Sequence, residues 1–574
     1  MDIFISLISD FKTWVVELDH HQSYRIVVSI LFTICGGSVA FLITKFISPK
    51  GNGSGVPEMK VLLLGNEFPG FLSKRTLFAK VVGLIFAIGS GMWCGKVGPF
   101  IHISACIAYN LAQLPLFRFI FNSQELMTQM LSVAAGCGVA ANFGAPIGGL
   151  LFSIEATATY YPVRNYWYST LSSIISSIVF RATTNWYKGN NHSLFIGLLF
   201  VDYSFERPSV VDLLIAVVIA LFITGFAIIC VKTVGNLFKL RMWTAKQKFL
   251  RHNYVYLFVV LLITALCTAP WETQKNPLSF STNASLNHLF SDKPITNMVG
   301  DRRILPALIV CFFARYTITQ ITIPAPVPCG LFATNLVVGG FFGRIIGEFL
   351  DEFGWNNRLG PHGAALIGAS VFVSSITQTF SPTTIVMELT DNNQLLLPAL
   401  MATTISISMC RLFNIGIYDE IAVSKNLSFI PDIQYSVSKN AGMVMITPVP
   451  YITQKTNFKL LKIFAEHFVN ENPSKIIPVV NNEKEQILVG QITMKEIRDI
   501  LALPLDEETK NDFKLDCKEC PIVAQKSSEL SEVHMLIIAS HAKTCFVVQN
   551  GRLEGEITIE KLADEFKNEI IINI

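Results

Sequence analysis

This chain predicts an all-α polytopic membrane domain with broken helices, followed by a small α/β module. Three observations carry that reading. Of 574 residues, 51% are hydrophobic and only 15% charged, with mean hydropathy +0.47, far above a soluble domain of this size. Glycine–proline breaks interrupt apolar stretches at Gly95-Lys96-Val97-Gly98-Pro99 and at Pro324–Phe332. With one break in each half, the pattern matches an inverted-repeat transporter whose site lies near the bilayer midplane. After Pro431 charge becomes frequent, and strand–helix patterns recur at a spacing of about 65 residues.

Composition also narrows the function. The near-neutral balance of +3 gives no nucleic-acid footprint. Met1-Asp2-Ile3-Phe4 lacks a basic n-region, so no cleavable signal peptide is read. Twelve scattered cysteines, mostly in apolar runs, read as buried free thiols. Cys517-Lys518-Glu519-Cys520 is a lone CxxC and argues against zinc. No nucleophile–base or metal-ligand cluster stands out, so an enzyme is not expected.

Taken in order, Ile3–Val16 is too short to span a bilayer, and Tyr24–Ile47 is the first full span. Gly51-Asn52-Gly53-Ser54-Gly55-Val56-Pro57-Glu58 is a glycine-rich loop running into a helix, with Ser54 near the cap and Glu58 in the first turn. A short helix continues over Val61–Leu64. Lys80–Met92 leads into the first break. Gly98–Leu111 is the next helix, with Pro99 in its first turn, where a missing N–H costs nothing. Unpaired N–H groups at such a helix start survive in a bilayer only inside protein or on a wet cavity, and they favour an anion. Met127–Ala141 is rich in small residues, as close helix packing in lipid requires, and Phe143-Gly144-Ala145-Pro146 breaks it. Further spans are expected at Tyr166–Phe180, Val211–Val231 and Val255–Ala269. The basic loop holding Lys239, Arg241, Lys246, Lys248 and Arg251 is placed in the cytoplasm by the positive-inside rule. The loops around Asn191 and Asn283, each carrying a glycosylation sequon, then face outward. Leu305–Ile323 is a span, Val337–Leu350 a helix after the second break, and 364–390 and 394–416 give shorter helices broken near Ser381-Pro382. In the tail, Lys475–Val480, Ile487–Thr493, Cys545–Val548 and Leu553–Thr558 read as strands, with Asn550-Gly551 as a hairpin turn.

Six motifs in register resemble the CLC chloride channel and exchanger family: Gly53-Ser54-Gly55-Val56-Pro57-Glu58, Gly95-Lys96-Val97-Gly98-Pro99, Phe152-Ser153-Ile154-Glu155, Gly330-Leu331-Phe332, Gly343-Arg344-Ile345-Ile346-Gly347-Glu348 and Met387-Glu388-Leu389-Thr390. The repeated tail looks like the CBS-domain pair of eukaryotic members, and the resemblance covers roughly residues 20–570. It implies the CLC-type inverted repeat over residues 1–431, with the first helices shortened. A linker over 432–440 and CBS motifs at 441–503 and 504–574 would follow. It further implies a homodimer in the lipid bilayer with one chloride pathway per subunit. The plasma membrane is preferred over an internal one, and the CBS pair is placed in the cytosol.

By that resemblance Ser54 offers its hydroxyl to a central anion. The backbone at Val97–Gly98 and Leu331–Phe332 donates to it, and Tyr418 supplies a phenol. Neutral donors suit a permeant anion, holding it without trapping it. Ser54 as a plain helix cap and Tyr418 as an interfacial anchor remain the alternatives. Lys96 reads as a pore-entrance charge acting at long range, or as a partner for a lipid headgroup. The family usually has a gating glutamate where this chain has Val97, and an inner proton glutamate where it has Ala156. A valine gate, with Phe100-Ile101-His102-Ile103-Ser104 beside it, resembles the kidney-type branch, whose members also raise a small accessory subunit as a partner. Thr334 replaces a usual proline. In the CBS copies the ribose-holding acidic position is Glu496 in the first and Lys561 in the second, which weakens adenine-nucleotide binding and favours a structural, dimer-contact role. The expectation is a passive chloride channel. The alternatives are a proton-coupled exchanger, with Glu155 as its nearest carboxylate, and a non-conducting regulatory subunit.

Overall fold

Helix ends fall where the sequence changes its backbone chemistry. Gly144 closes one helix in the left-handed region at φ 63°, and Pro146, in the next first turn, opens another. The computed structural model describes all residues except 20, 67, 159–160, 189–207, 247–252, 272–276, 293–303, 355–358, 428–438, 468–474, 503–512, 516, 518–520, 541 and 566–574. The chain separates into two compact units, one of Met1–Leu63 with Glu67–Leu427, the other of Leu64–Asn66 with Ser428–Ile574.

The first unit is helical. Among the described residues its helices are α1 Asp2–Glu17, α2 Gln22–Ile47, α3 Val56–Leu63, α4 Lys74–Gly89, α5 Val97–Ala112, α6 Arg118–Asn122, α7 Gln124–Phe143, α8 Pro146–Phe152 and α9 Val163–Lys188. There follow α10 Val210–Lys246, α11 Asn253–Thr268, α12 Thr282–Phe290, α13 Ile304–Thr322, α14 Phe332–Glu352, α15 Gly360–Thr377, α16 Ser381–Thr390, α17 Leu396–Phe413 and α18 Ile417–Ser424. Among the described residues, five helices are long and apolar enough to cross a membrane, and a bent pair, α5 with 115–122, makes a sixth candidate. Shorter helices such as α3, α8, α16 and α18 have no such length and pack inside the unit.

Of the expected spans, Tyr24–Ile47, Val211–Val231 and Leu305–Ile323 fall in helices of that length and apolarity, whereas Tyr166–Phe180 falls in α9 and Val255–Ala269 in the 16-residue α11, neither of which is among those five. α10 runs on to Lys246, so Lys239 and Arg241 sit on a helix and not in a loop. Cations suit a helix C-terminus, and Lys239 pairs there with Glu420 at 3.9 Å, while the Arg241 guanidinium donates to the Pro324 carbonyl. Lys248 and Arg251 lie outside the described residues, as does Asn191. Asn283 lies in the first turn of α12. The break near Ser381 proves to be a helix start, with Pro382 in its first turn.

The second unit holds two three-stranded sheets of the same plan. In the first, β1 Ile452–Thr453 runs parallel to β3 Ile476–Val480, which pairs antiparallel with β4 Leu488–Thr493. In the second, β6 Val523–Gln525 runs parallel to β7 Thr544–Gln549, and β7 pairs with β8 Arg552–Thr558. β2 Lys455–Thr456 and β5 Phe513–Lys514 form a separate two-stranded pair. The hairpin turn is Asn550-Gly551, with φ 54° and 80°, the paired positive values that an Asn-Gly turn of type I′ needs. Helices α19 Ala441–Val444, α20 Phe458–His467, α21 Met494–Leu501 and α22 Leu530–Ala539 pack on these sheets. Leu461, Ile477, Val479 and Ile492 make one core, and Val533, Val547, Ile557 and Leu562 the other. Val480, Phe546 and Leu553 form a third cluster between the copies. There the Leu488 N–H donates to the Gly551 carbonyl at 3.0 Å, and the Leu553 N–H to the Gln486 carbonyl at 2.9 Å. The tail is thus a true internal repeat, closed on itself by its two hairpins.

Candidate functional site

The two sequence breaks meet. Gly95 and Gly330 form an isolated antiparallel bridge, exchanging N–H···O bonds of 2.8 and 2.7 Å. A side chain at Gly95 would place its Cβ 2.6 Å from the Gly330 oxygen, so glycine is required by close backbone approach. α5 begins two residues after Gly95 and α14 two residues after Gly330. Two helix N-termini, each with free N–H groups, are therefore tied together inside the unit, and Val97, Leu331 and Phe332 are almost wholly buried there.

The Ser54 loop completes the cluster. The Gly53 N–H donates to the Val327 carbonyl at 3.0 Å, and Cys329 returns a bond to Gly53 at 3.4 Å. Gly53 and Gly55 take φ of 71° and 89°, which lets the loop fold back on itself. A Cβ on Gly98 would sit 2.0 Å from Ser54 Oγ, so the serine hydroxyl lies directly against the start of α5. That hydroxyl also accepts a long bond of 3.4 Å from the Val56 N–H, a partial cap for α3.

Tyr418, the second residue of α18, is 4% exposed. Its ring centroid is 6.2 Å from Phe152, which lies 5.8 Å from Phe332. An edge-on aromatic chain thus links the phenol to the start of α14. Two ion pairs hold α18 against α3: Lys60 to Asp419 at 2.7 Å and Lys425 to Glu58 at 2.6 Å. The structure therefore brings Ser54, Val97, Gly98, Leu331, Phe332 and Tyr418 into one neighbourhood.

The other sequence candidates fall as follows. Ala156 is buried in a π-helical turn, Ser153–Thr157, within the same apolar core as Val97 and Tyr418. Glu155 accepts from the Ser381 N–H at 2.8 Å and so caps α16. Glu388 of α16 in turn accepts from Ile147 and Gly148 at 3.0 and 2.8 Å, capping α8. α8 thus borrows a carboxylate from α16, and α16 one from the π-helical turn that follows α8. Thr334 donates to the Leu331 carbonyl at 3.0 Å. Lys96 is the N-cap of α5, and its ammonium lies 2.9 Å from both carboxylate oxygens of Asp2. Glu496 accepts from the N–H and hydroxyl of Thr493 in a capping box, and the Lys561 ammonium pairs with Glu565 at 3.2 Å.

The contacts of two residues escaped the sequence reading. Lys80 is 1% exposed and donates to the Gly53 carbonyl at 2.9 Å, which pins the Ser54 loop. A lysine within the apolar run of α4, past its first-turn Lys74 and Arg75, was the available signal. His102 stacks on Phe71 at 3.8 Å, with Nε2 3.0 Å from the Phe71 oxygen, and fills the space beside Gly55.

Comparison with known proteins bears on the family and the fold. The voltage gated chloride channel family matches residues 36–411. Chloride channel protein 2 of Drosophila melanogaster is 28% identical over 572 residues, which cover 93% of this chain and 47% of that protein. Chloride channel protein 1 of Rattus norvegicus is 27% identical, covering 85% and 51%. The chain thus spans about half the length of the curated relatives it matches. A crystal structure of a eukaryotic CLC transporter superposes with a TM-score of 0.77 at 24% identity, over 98% of this chain and 94% of that one. A slow cyanobacterial Cl⁻/H⁺ antiporter gives 0.59 at 18%, over 74% and 92%. These two likenesses bear on the fold.

Proposed function

This chain belongs to the voltage-gated chloride channel family, and on that premise we propose that it conducts chloride passively, through a separate pathway in each subunit of a homodimer. The observation that carries this is the first residue of α5. Val97, fully buried at the helix start, occupies the place where a carboxylate could compete with an anion or take up a proton. Valine does neither. Ala156, in the same core, removes the second proton station. Coupled exchange needs protonatable groups along its path.

In this reading Ser54 Oγ, the N–H groups at Val97–Gly98 and Leu331–Phe332, and the Tyr418 hydroxyl bind the anion in passing. All are neutral donors, and two helix N-termini add a favourable dipole. Glu155 is a poor substitute proton carrier because its carboxylate is committed to the start of α16. Residues 1–431 form the pathway domain, and 441–503 with 504–574 the CBS pair. Glu496 and Lys561 are both engaged locally, which favours a structural and dimer-contact role for the pair over adenine-nucleotide binding. The plasma membrane, a cytosolic tail and a small membrane accessory subunit complete the proposal.

The test is reconstitution in liposomes, recording chloride efflux and internal pH together. Chloride efflux without coupled proton movement is the expected result. Protons moving in fixed ratio would overturn the channel in favour of an exchanger. No flux of either ion, with protein present in the membrane, would favour a regulatory subunit.

A further inference from the structure

We propose that Asp2 is a fixed counter-charge to Lys96 and sets how strongly anions are drawn to the mouth of the pathway. This rests on the conduction reading above. Lys96 stands one residue before Val97, at the N-cap of α5. A cation there opposes the helix dipole, so it needs a compensating anion. Asp2 supplies one, with both carboxylate oxygens 2.9 Å from the ammonium.

The carboxylate is delivered by a held helix, not by a loose end. Ile8 of α1 packs on Gly89 so closely that a Cβ added there would lie 2.8 Å from the Ile8 Cβ. Lys12 donates to Thr33 Oγ1 at 3.0 Å and to the Ser90 carbonyl at 2.9 Å. Gly91, at φ +98°, leaves room for that ammonium. α1 is thus fixed at three points along residues 89–96, the stretch that leads into the first break. A carboxylate placed this way turns a full positive charge at the entrance into a local dipole. The field of a dipole falls off faster with distance, so a chloride ion approaching from solution meets less attraction. The Lys96 side chain is 18% exposed and that of Asp2 45%, so the pair is not sealed in the core, and at a water-facing mouth salt would screen it. Such a pair adds little to stability. Its consequence lies in the flux.

The full chain is reconstituted as wild type, Asp2→Asn, Asp2→Glu, Lys96→Gln and the Asp2→Asn/Lys96→Gln double variant. Chloride flux is read against chloride concentration at low ionic strength. Asp2→Asn is expected to lower the half-saturating chloride about threefold to tenfold, and Asp2→Glu to restore the wild-type value. The gap should close as sodium gluconate is raised to 0.1 M, where the Debye length is about 10 Å. In the Lys96→Gln background Asp2→Asn should have no such effect. An Asp2→Asn protein that saturates like wild type overturns the proposal, as does an equal shift without Lys96. Proton coupling in the wild type would overturn the channel reading alone, and the Asp2→Asn shift would still support the counter-charge. Absence of flux in every variant overturns both.

Discussion

Gly95 has no room for even a methyl group, because the atoms it would strike belong to backbone. A Cβ there lies 2.6 Å from the Gly330 oxygen and 3.1 Å from its carbonyl carbon, and neither can rotate away. Gly95→Ala should therefore open the bridge between the two breaks and cost about 1–3 kcal/mol as an overpacked site, with chloride flux lost. Gly51→Ala, whose nearest neighbour would be 3.6 Å away, should leave both thermal unfolding in detergent and flux unchanged. Glu565 gives a second single-residue prediction, in the tail. Hydrogen bonding from Lys439 at 2.9 Å, with Lys561 also close, holds its carboxyl below the ordinary 4.5 despite some burial. A depressed folded pKa means that its contribution is fully present above pH 4.5 and is lost as pH falls through the lowered value. The melting difference between wild type and Glu565→Gln, at most about 1 kcal/mol for so solvated a pair, should thus be constant at neutral pH and vanish in acid. A difference that grew in acid would contradict the assignment.

At the scale of elements, α8 is capped by a carboxylate of α16, and α16 by one from the π-helical turn directly after α8. Glu388→Ala leaves the Ile147 and Gly148 N–H groups without their acceptor, and a loss of about 1–3 kcal/mol is expected, read as an earlier unfolding midpoint with ion selectivity retained. A selectivity change without loss of stability would instead place Glu388 in the pathway. This capping shows what the sequence could and could not convey. Both glutamates were visible as motif members, and both helices as short apolar segments between glycine or proline breaks. That each carboxylate reaches the first turn of a distant helix depends on packing between residues more than two hundred positions apart. The same limit hid Lys80 on the Gly53 carbonyl and Asp2 on Lys96, since neither pairing leaves a local pattern. Where local chemistry decides, the reading was close, as with the start of α5 and the Asn550-Gly551 turn, whereas the helix expected from Val337 begins at Phe332. It failed at the end of α10, where basic residues that suit a helix C-terminus resemble a loop when only their charge is considered.

For the whole molecule, the question is whether proton coupling belongs to one residue or to a path. The fold is shared by a Cl⁻/H⁺ antiporter, so the scaffold itself does not decide. A path needs stations close enough for successive transfers, and a single ionisable side chain in an otherwise apolar core is only a gate. Val97 and Ala156 sit in one continuous apolar cluster with Phe152, Phe332 and Tyr418. Val97→Glu alone should therefore act as a gate. Its carboxylate would compete with chloride for the N–H groups of α5 and α14, so efflux should fall at neutral pH and recover in acid as the side chain is protonated. Internal pH should show no coupled proton movement, because Ala156 gives the proton nowhere to go. Ala156→Glu alone should leave proton movement equally absent, and it bears the cost of a carboxyl forced into a packed core, about 1–3 kcal/mol. Simultaneous recording of chloride efflux and internal pH in liposomes checks all three statements. Proton movement in fixed ratio to chloride in the Val97→Glu protein would mean that another group in this core already serves as the inner station, and the passive reading of the wild type would then rest on Val97 alone.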